Sequence, residues 1–193
     1  SVSVQEQLPL RIGAETSLWQ PWLIRWLSAL RREQPQLTVQ VTVGQSQMLL
    51  DQLESGGLDI LLSHQVRYRP ALRVRLLMEE TLVQVRHVHN PEPFIQTDWG
   101  EAFQQQFELA FPGQPVQIAA NVGQLALQLL LDQGGTGYFR SQVVAPWLEN
   151  GELLRVADAA EFSLPVYLLV HKHCNHPQLQ VALTCIEQLL VAA

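Results

Sequence analysis

The residues of this sequence whose types and spacing suit chemistry fall in turns. Glu15-Thr16-Ser17 follows the apolar run Leu10-Arg11-Ile12-Gly13-Ala14, Gln45-Ser46 follows an alternating run from Leu37 to Val43, and Ser63-His64 follows Leu58 to Leu62. Each set places hydroxyls, an amide or an imidazole where a strand hands over to the next element, and a helix that follows such a turn starts with unpaired backbone N–H groups. Hydroxyls and free N–H groups are good partners for carboxylates and phosphates, so the chemistry indicated is reversible capture of a small ligand, anionic by default. Glu15 works against that default, and an amine-bearing or neutral ligand stays open beside it. In the second half, Asn121, Gly123, Thr136 and Tyr138 occupy comparable turns, and Arg140 reads as a solvated surface charge. Taken singly, these are ordinary turn and cap residues; convergence of the turns is what favours a site.

Other chemistries are less well supported. His87, His89, His171, His173, Cys174 and His176 offer the nitrogen and sulfur donors that zinc or nickel prefer, but they lack a recognised ligand spacing. They read as exposed strand-end residues, with no metal and no cofactor expected. Gly134-Gly135-Thr136-Gly137 lacks the lysine of a phosphate-binding loop and does not follow a strand. There is no Gly-x-Ser-x-Gly elbow and no pair of carboxylates in the cleft turns, so catalysis is not expected.

The elements that must position these turns can be read from periodicity. Leu18, Trp19, Trp22, Leu23, Trp26, Leu27 and Leu30 have helical spacing, with Pro21 in the first turn and Pro35 ending the helix at Gln34. Trp19, Trp22 and Trp26 either pack on a sheet or form part of a subunit interface, where Trp is enriched. The order strand, helix, strand, helix, strand up to Leu62 predicts right-handed crossovers and a parallel sheet whose strand ends share one edge. Thr16, Ser17, Gln45, Ser46, Ser63 and His64 then become neighbours. Two extended segments, Val74 to Met78 and Leu82 to Val88, are separated by Glu79-Glu80-Thr81 and carry the chain into a second lobe. There, helices are expected over 101–109, capped by Asp98, over 124–133 and over 141–148, with strands over 116–120, 153–156 and 165–170. A last helix from Pro177 to Val191 packs back on the first lobe.

Composition narrows the class. A hydrophobic content of 47% over 193 residues is enough for a real core, and no apolar run reaches the length of a membrane span. The net charge is -6, with Lys172 the only lysine, so no basic stripe exists to neutralise a phosphate backbone, and the chain is not expected to bind DNA by itself. Two cysteines, Cys174 and Cys185, make no disulfide framework and fit a reducing, cytoplasmic setting. The start at Ser1, without Met or a signal peptide, reads as part of a longer protein.

The order of elements resembles the effector-binding domain of LysR-type transcriptional regulators. The motifs that carry the resemblance are Leu10-Arg11-Ile12-Gly13, Gly57-Leu58-Asp59-Ile60-Leu61-Leu62, Gly134-Gly135-Thr136-Gly137-Tyr138 and Leu148-Glu149-Asn150-Gly151-Glu152-Leu153, over nearly all of the chain from Leu8. Asp98-Trp99-Gly100 and Gly135-Thr136-Gly137-Tyr138 are similar to the branch containing the H-NS-dependent regulator of the flagellar master operon. The resemblance implies a two-lobed α/β fold of the periplasmic-binding-protein type 2, each lobe a mixed sheet flanked by helices. Lobe I would comprise 1–80 and 173–193, lobe II 81–172. It implies an effector bound between the lobes, no catalysis, and a homodimer or tetramer in which Trp19, Trp22 and Trp26 meet another copy. DNA would be bound only through an N-terminal winged helix-turn-helix absent from this sequence, with Ser1 to Gln7 as the tail of its linker. A free-standing solute-binding protein for a transporter is the competing class.

Overall fold

In a computed structural model, residues 8–191 are described and divide into two compact units. Unit 1 comprises the chain up to Met78 and again from Pro165, and unit 2 comprises Glu79–Leu164. The expected linker tail, Ser1 to Gln7, lies outside the described residues.

Unit 1 is built on β1 (Leu10–Glu15), β2 (Val39–Gly44), β3 (Ile60–Ser63) and the second half of β9 (Phe162–His171). The strand order is β2-β1-β3-β9. β1 runs parallel to both neighbours, with Glu15 opposite Gly44 and Ala14 opposite Leu62, as the crossover rule predicts. β9 returns antiparallel to β3. Alternation along β1 explains its residues: Leu10, Ile12 and Ala14 enter one core, with Trp22, Trp26 and Leu30. Gly13 faces the other, where a Cβ would lie 2.7 Å from Leu58 Cδ1. On the first face lie α1 (Ile24–Glu33) and α6 (Leu179–Val191); on the second lies α2 (Ser46–Glu54), which buries Leu49, Leu50 and Leu53.

The expected single helix from Leu18 is interrupted. A 3-10 turn, Thr16–Leu18, and a π-helical turn, Trp19–Leu23, precede α1, and Gln20 has extended angles (φ −114, ψ 129) because the residue before a proline disfavours helical geometry. Trp22 and Trp26 are buried within the single chain, and the Trp26 indole N–H donates to Ala182 O at 2.9 Å. That corrects the interface expectation for these two: their apolar area is spent in the core of unit 1, while Trp19 is half-buried.

β4 (Leu72–His87) is one sixteen-residue strand, not two segments, and it carries the chain from unit 1 to unit 2 at Met78. Glu79-Glu80-Thr81 is no break because Glu80 is buried against a cationic partner. The chain returns at Pro165, eight residues before the expected boundary, inside the unbroken strand β9. Unit 2 adds β5 (Ile95–Thr97), α3 (Glu101–Ala110), β6 (Ile118–Ala120), α4 (Gly123–Gln133), β7 (Thr136–Arg140), α5 (Ser141–Glu149) and β8 (Leu153–Arg155). β7 and β8 pair antiparallel with β4, β5 and β6 are parallel, and a parallel bridge joins Phe94 to Thr136. Its core is aromatic, with Phe103, Phe107, Tyr138 and Phe162 in edge-on contacts. No helix among the described residues is long and apolar enough to cross a membrane.

Candidate functional site

Because β1, β2 and β3 are parallel, their C-terminal ends emerge on one edge of unit 1 and carry Glu15-Thr16-Ser17, Gln45-Ser46 and Ser63-His64. The six residues predicted for this edge thus come together, with Glu15 beside them. Burial is graded across the edge. Glu15, Ser63 and His64 form a buried floor, Thr16, Ser17 and Ser46 are half-buried, and Gln45 stands exposed at the rim. Ser63 Oγ donates to Glu15 Oε1 at 3.1 Å and accepts the Gln65 backbone N–H at 2.9 Å, so the hydroxyl is oriented toward the carboxylate. His64 Nδ1 lies 2.9 Å from Pro165 O; the carbonyl can only accept, so Nδ1 carries the proton. Gln45 is the N-cap of α2 and makes no side-chain cap bond, which leaves the first N–H groups of that nine-residue helix at the rim. This edge is equipped to hold a small polar molecule through hydroxyls, an amide, a carboxylate and helix-end N–H groups.

Unit 2 has its own edge. The bridge between Phe94 and Thr136 sets β5 and β7 parallel, and β5 is parallel to β6, so Asp98, Asn121 and Arg140 follow the same ends of three strands. Thr136 is at the other end of β7, roughly 13 Å from Arg140 at the usual strand rise. The sequence grouping of Thr136 and Tyr138 with Asn121 is therefore corrected. Thr136 Oγ1 donates to Pro91 O at 2.5 Å, and the Tyr138 hydroxyl donates to Ala160 O at 2.7 Å. Burial pushes the Tyr138 phenol up to about 12, so it stays a neutral donor at physiological pH. Gly123 is buried at the start of α4, where a Cβ would lie 2.7 Å from Trp99 Cη2; the glycine makes room for that ring, whose N–H donates to Tyr138 O at 2.9 Å. Asn121 is exposed and lines a groove of about 830 Å³ with Gln96, Asp98, Glu101, Gln104 and Leu125. Asp98 does not cap α3; its Oδ1 accepts the Gly100 N–H at 3.0 Å in the turn before the helix.

Sequence reasoning missed the Glu80–Arg140 pair. Both side chains are almost fully buried, Arg140 Nε donates to Glu80 Oε2 at 2.8 Å, and Gln142 Nε2 donates to the same oxygen at 2.7 Å. Arg140 is thus no solvated surface charge. The histidines also separate: His87 and His89 belong to unit 2, whereas His171, His173, Cys174 and His176 line a cavity in unit 1. Among the described residues no group of three His, Cys, Asp or Glu is placed to hold a metal ion.

Comparison with known proteins adds the context. The family model of the LysR substrate binding domain matches residues 4–190. The HTH-type transcriptional regulator HdfR of Yersinia enterocolitica is 28% identical over 176 residues, covering 82% of this chain and 59% of that protein. This chain therefore spans about three fifths of the relative's length. Among solved structures, the bromide-bound regulatory domain of HypT from Salmonella typhimurium superposes with a TM-score of 0.76 at 15% identity, covering 96% of both chains. Full-length LysG from Corynebacterium glutamicum with bound effector Arg gives 0.76 at 12% identity, covering 97% of this chain and 69% of LysG. The fold is thus that of LysR-type regulatory domains.

Proposed function

Since the chain belongs to the LysR substrate binding domain family, we propose that its ligand-sensing role is exercised at the C-terminal edge of β1, β2 and β3. The observation that carries this reading is the convergence there of Glu15, Thr16, Ser17, Gln45, Ser46, Ser63 and His64 in a graded polar mouth. Asn121 lines its own groove at an edge of unit 2, and Gly123 serves by admitting Trp99. The rim of uncapped α2 N–H groups favours a carboxylate or phosphate, and Glu15 favours an ammonium or guanidinium on the same molecule, so the effector class is a small anion or a zwitterion. Effector binding shifts the regulator by its differential affinity for two arrangements, and DNA is bound by a segment preceding this chain in the full protein. Catalysis forms no part of this reading.

Self-association is the second part of the proposal. β2 is the edge strand of unit 1, and Val41 and Val43 on it and Ile24 on α1 are exposed. These side chains, with half-buried Trp19, replace the tryptophan pair as the surface that a second copy covers.

A thermal-shift screen of carboxylates, sugar phosphates and amino acids tests the first part. A metabolite that stabilises the wild type is expected to lose most of its effect on Thr16→Ala and on Ser46→Ala. Equal stabilisation of all three would refute the assignment. For the second part, Val43→Asp is expected to shift the sedimentation coefficient to that of the monomer, and an unchanged dimer would remove this surface.

A further inference from the structure

The end of unit 1 opposite the ligand edge, where β1 and β3 begin and β9 finishes, holds a cavity of about 520 Å³ lined by Arg11, Asp59, His171, His173, Cys174 and His176. Three imidazoles in one cavity are unusual, and their hydrogen bonds fix what a proton would do there. His176 Nδ1 accepts the Gln178 backbone N–H at 3.0 Å, so this nitrogen is unprotonated and Nε2 carries the hydrogen that points to Leu8 O, 2.8 Å away. The ring therefore ties Leu8, just before β1, to the segment that leads into α6. His171 follows the same rule, its Nδ1 accepting the His173 N–H at 3.1 Å.

The other groups facing these rings keep their charge in mild acid. Burial alone would raise Asp59, but hydrogen bonds from the Arg11 side chain and backbone outweigh it and hold the carboxyl below its ordinary range. The same hydrogen bond raises Arg11, and burial pushes the Cys174 thiol up, so it stays protonated. Arg11 and Asp59 cancel, and Lys172, on the turn, adds a fixed positive charge nearby.

We propose that this cavity is a proton-operated latch between the start of β1 and the segment that leads into α6. An imidazolium has two donors and no acceptor, so protonating His176 sets its Nδ1–H against the Gln178 N–H. The ring must turn away, and the Leu8 carbonyl is released in the same movement. Protonation of His171 frees the His173 amide likewise, and each added charge repels the next, while the Asp59 carboxylate is already engaged by Arg11. Acidification thus loosens the segment 171–178 from the start of β1.

The test is a pH titration of the isotopically labelled chain by NMR. The Gln178 amide signal is expected to move with the same midpoint as the His176 ring carbons. Its protection against hydrogen exchange, corrected for the intrinsic rate, is expected to fall about tenfold as one hydrogen bond is lost. His176→Ala should leave Gln178 unprotected at every pH, and His173→Ala, which keeps both backbone N–H groups and the His176 ring, should leave Gln178 protected at neutral pH. If His176→Ala does not fold, the wild-type titration decides alone. The latch is overturned if Gln178 keeps its shift and protection while the His176 ring reports full protonation, or if it is unprotected throughout.

Discussion

Replacing Glu80 should cost more than any surface charge in the molecule. The side chains of Glu80 and Arg140 are 1% and 2% exposed, and Glu80 Oε2 accepts both Arg140 Nε and Gln142 Nε2. Glu80→Ala removes the acceptor shared by Arg140 Nε and Gln142 Nε2 and takes the negative charge from beside a buried guanidinium, a loss of about 3–5 kcal/mol. Against a typical domain stability of about 5–15 kcal/mol, this is a large fraction of the total. Glu80→Gln retains the shape and one acceptor oxygen but loses the charge, so it should cost about 1.5–3 kcal/mol. Glu80→Leu combined with Arg140→Met removes both charges and should be less damaging than Glu80→Ala alone, since no buried charge is stranded. Urea unfolding followed by tryptophan fluorescence measures all three. A loss below about 1 kcal/mol for Glu80→Ala, the value of an exposed pair, would refute the claim that this ion pair is a buried determinant of unit 2.

Further outcomes follow from single contacts. Gly13→Ala places a methyl 2.7 Å from Leu58 Cδ1 and 3.3 Å from Leu61 Cδ1, and overpacking of this kind should destabilise by about 1–3 kcal/mol in the same unfolding assay. Trp26→Phe deletes the donor to Ala182 O and leaves a gap beside α6, so a loss of about 2 kcal/mol is expected, with no change in quaternary state by sedimentation. Asp59 has a lowered folded-state pKa, so its contribution is present at neutral pH and lost as pH falls through that value. Asp59→Asn should therefore be less stable than wild type near pH 7, with the difference closing only below the ordinary carboxylate range. Thermal melts of the two proteins across pH check this, and a constant difference down to strong acid would contradict it.

The first-lobe edge was legible in the sequence because its determinants are local. Alternation in Val39–Gly44 and the turn residues at 15–17, 45–46 and 63–64 each specify an element, and the crossover rule supplies the parallel pairing. The second-lobe site was less legible, since strand direction decides which end of β7 shares an edge with Asn121, and that direction rests on Phe94 meeting Thr136 across 42 residues. Glu79-Glu80-Thr81 looked like a break for the same reason. The partner that allows Glu80 inside a strand lies 60 residues away. The tryptophan stripe had two possible destinations, and only the position of α6 decides between them. Pro21 breaks the predicted helix at Gln20 in the same way that Pro35 ends it at Gln34.

The most direct measurement of the central claim is the map of amide shifts in the labelled chain when a stabilising metabolite is added. The largest changes are expected at 15–17, 45–47 and 63–65, with little at 56–59 and 171–176 on the far end of the same strands. Shifts concentrated at that far end, or at Thr136 and Tyr138, would contradict it.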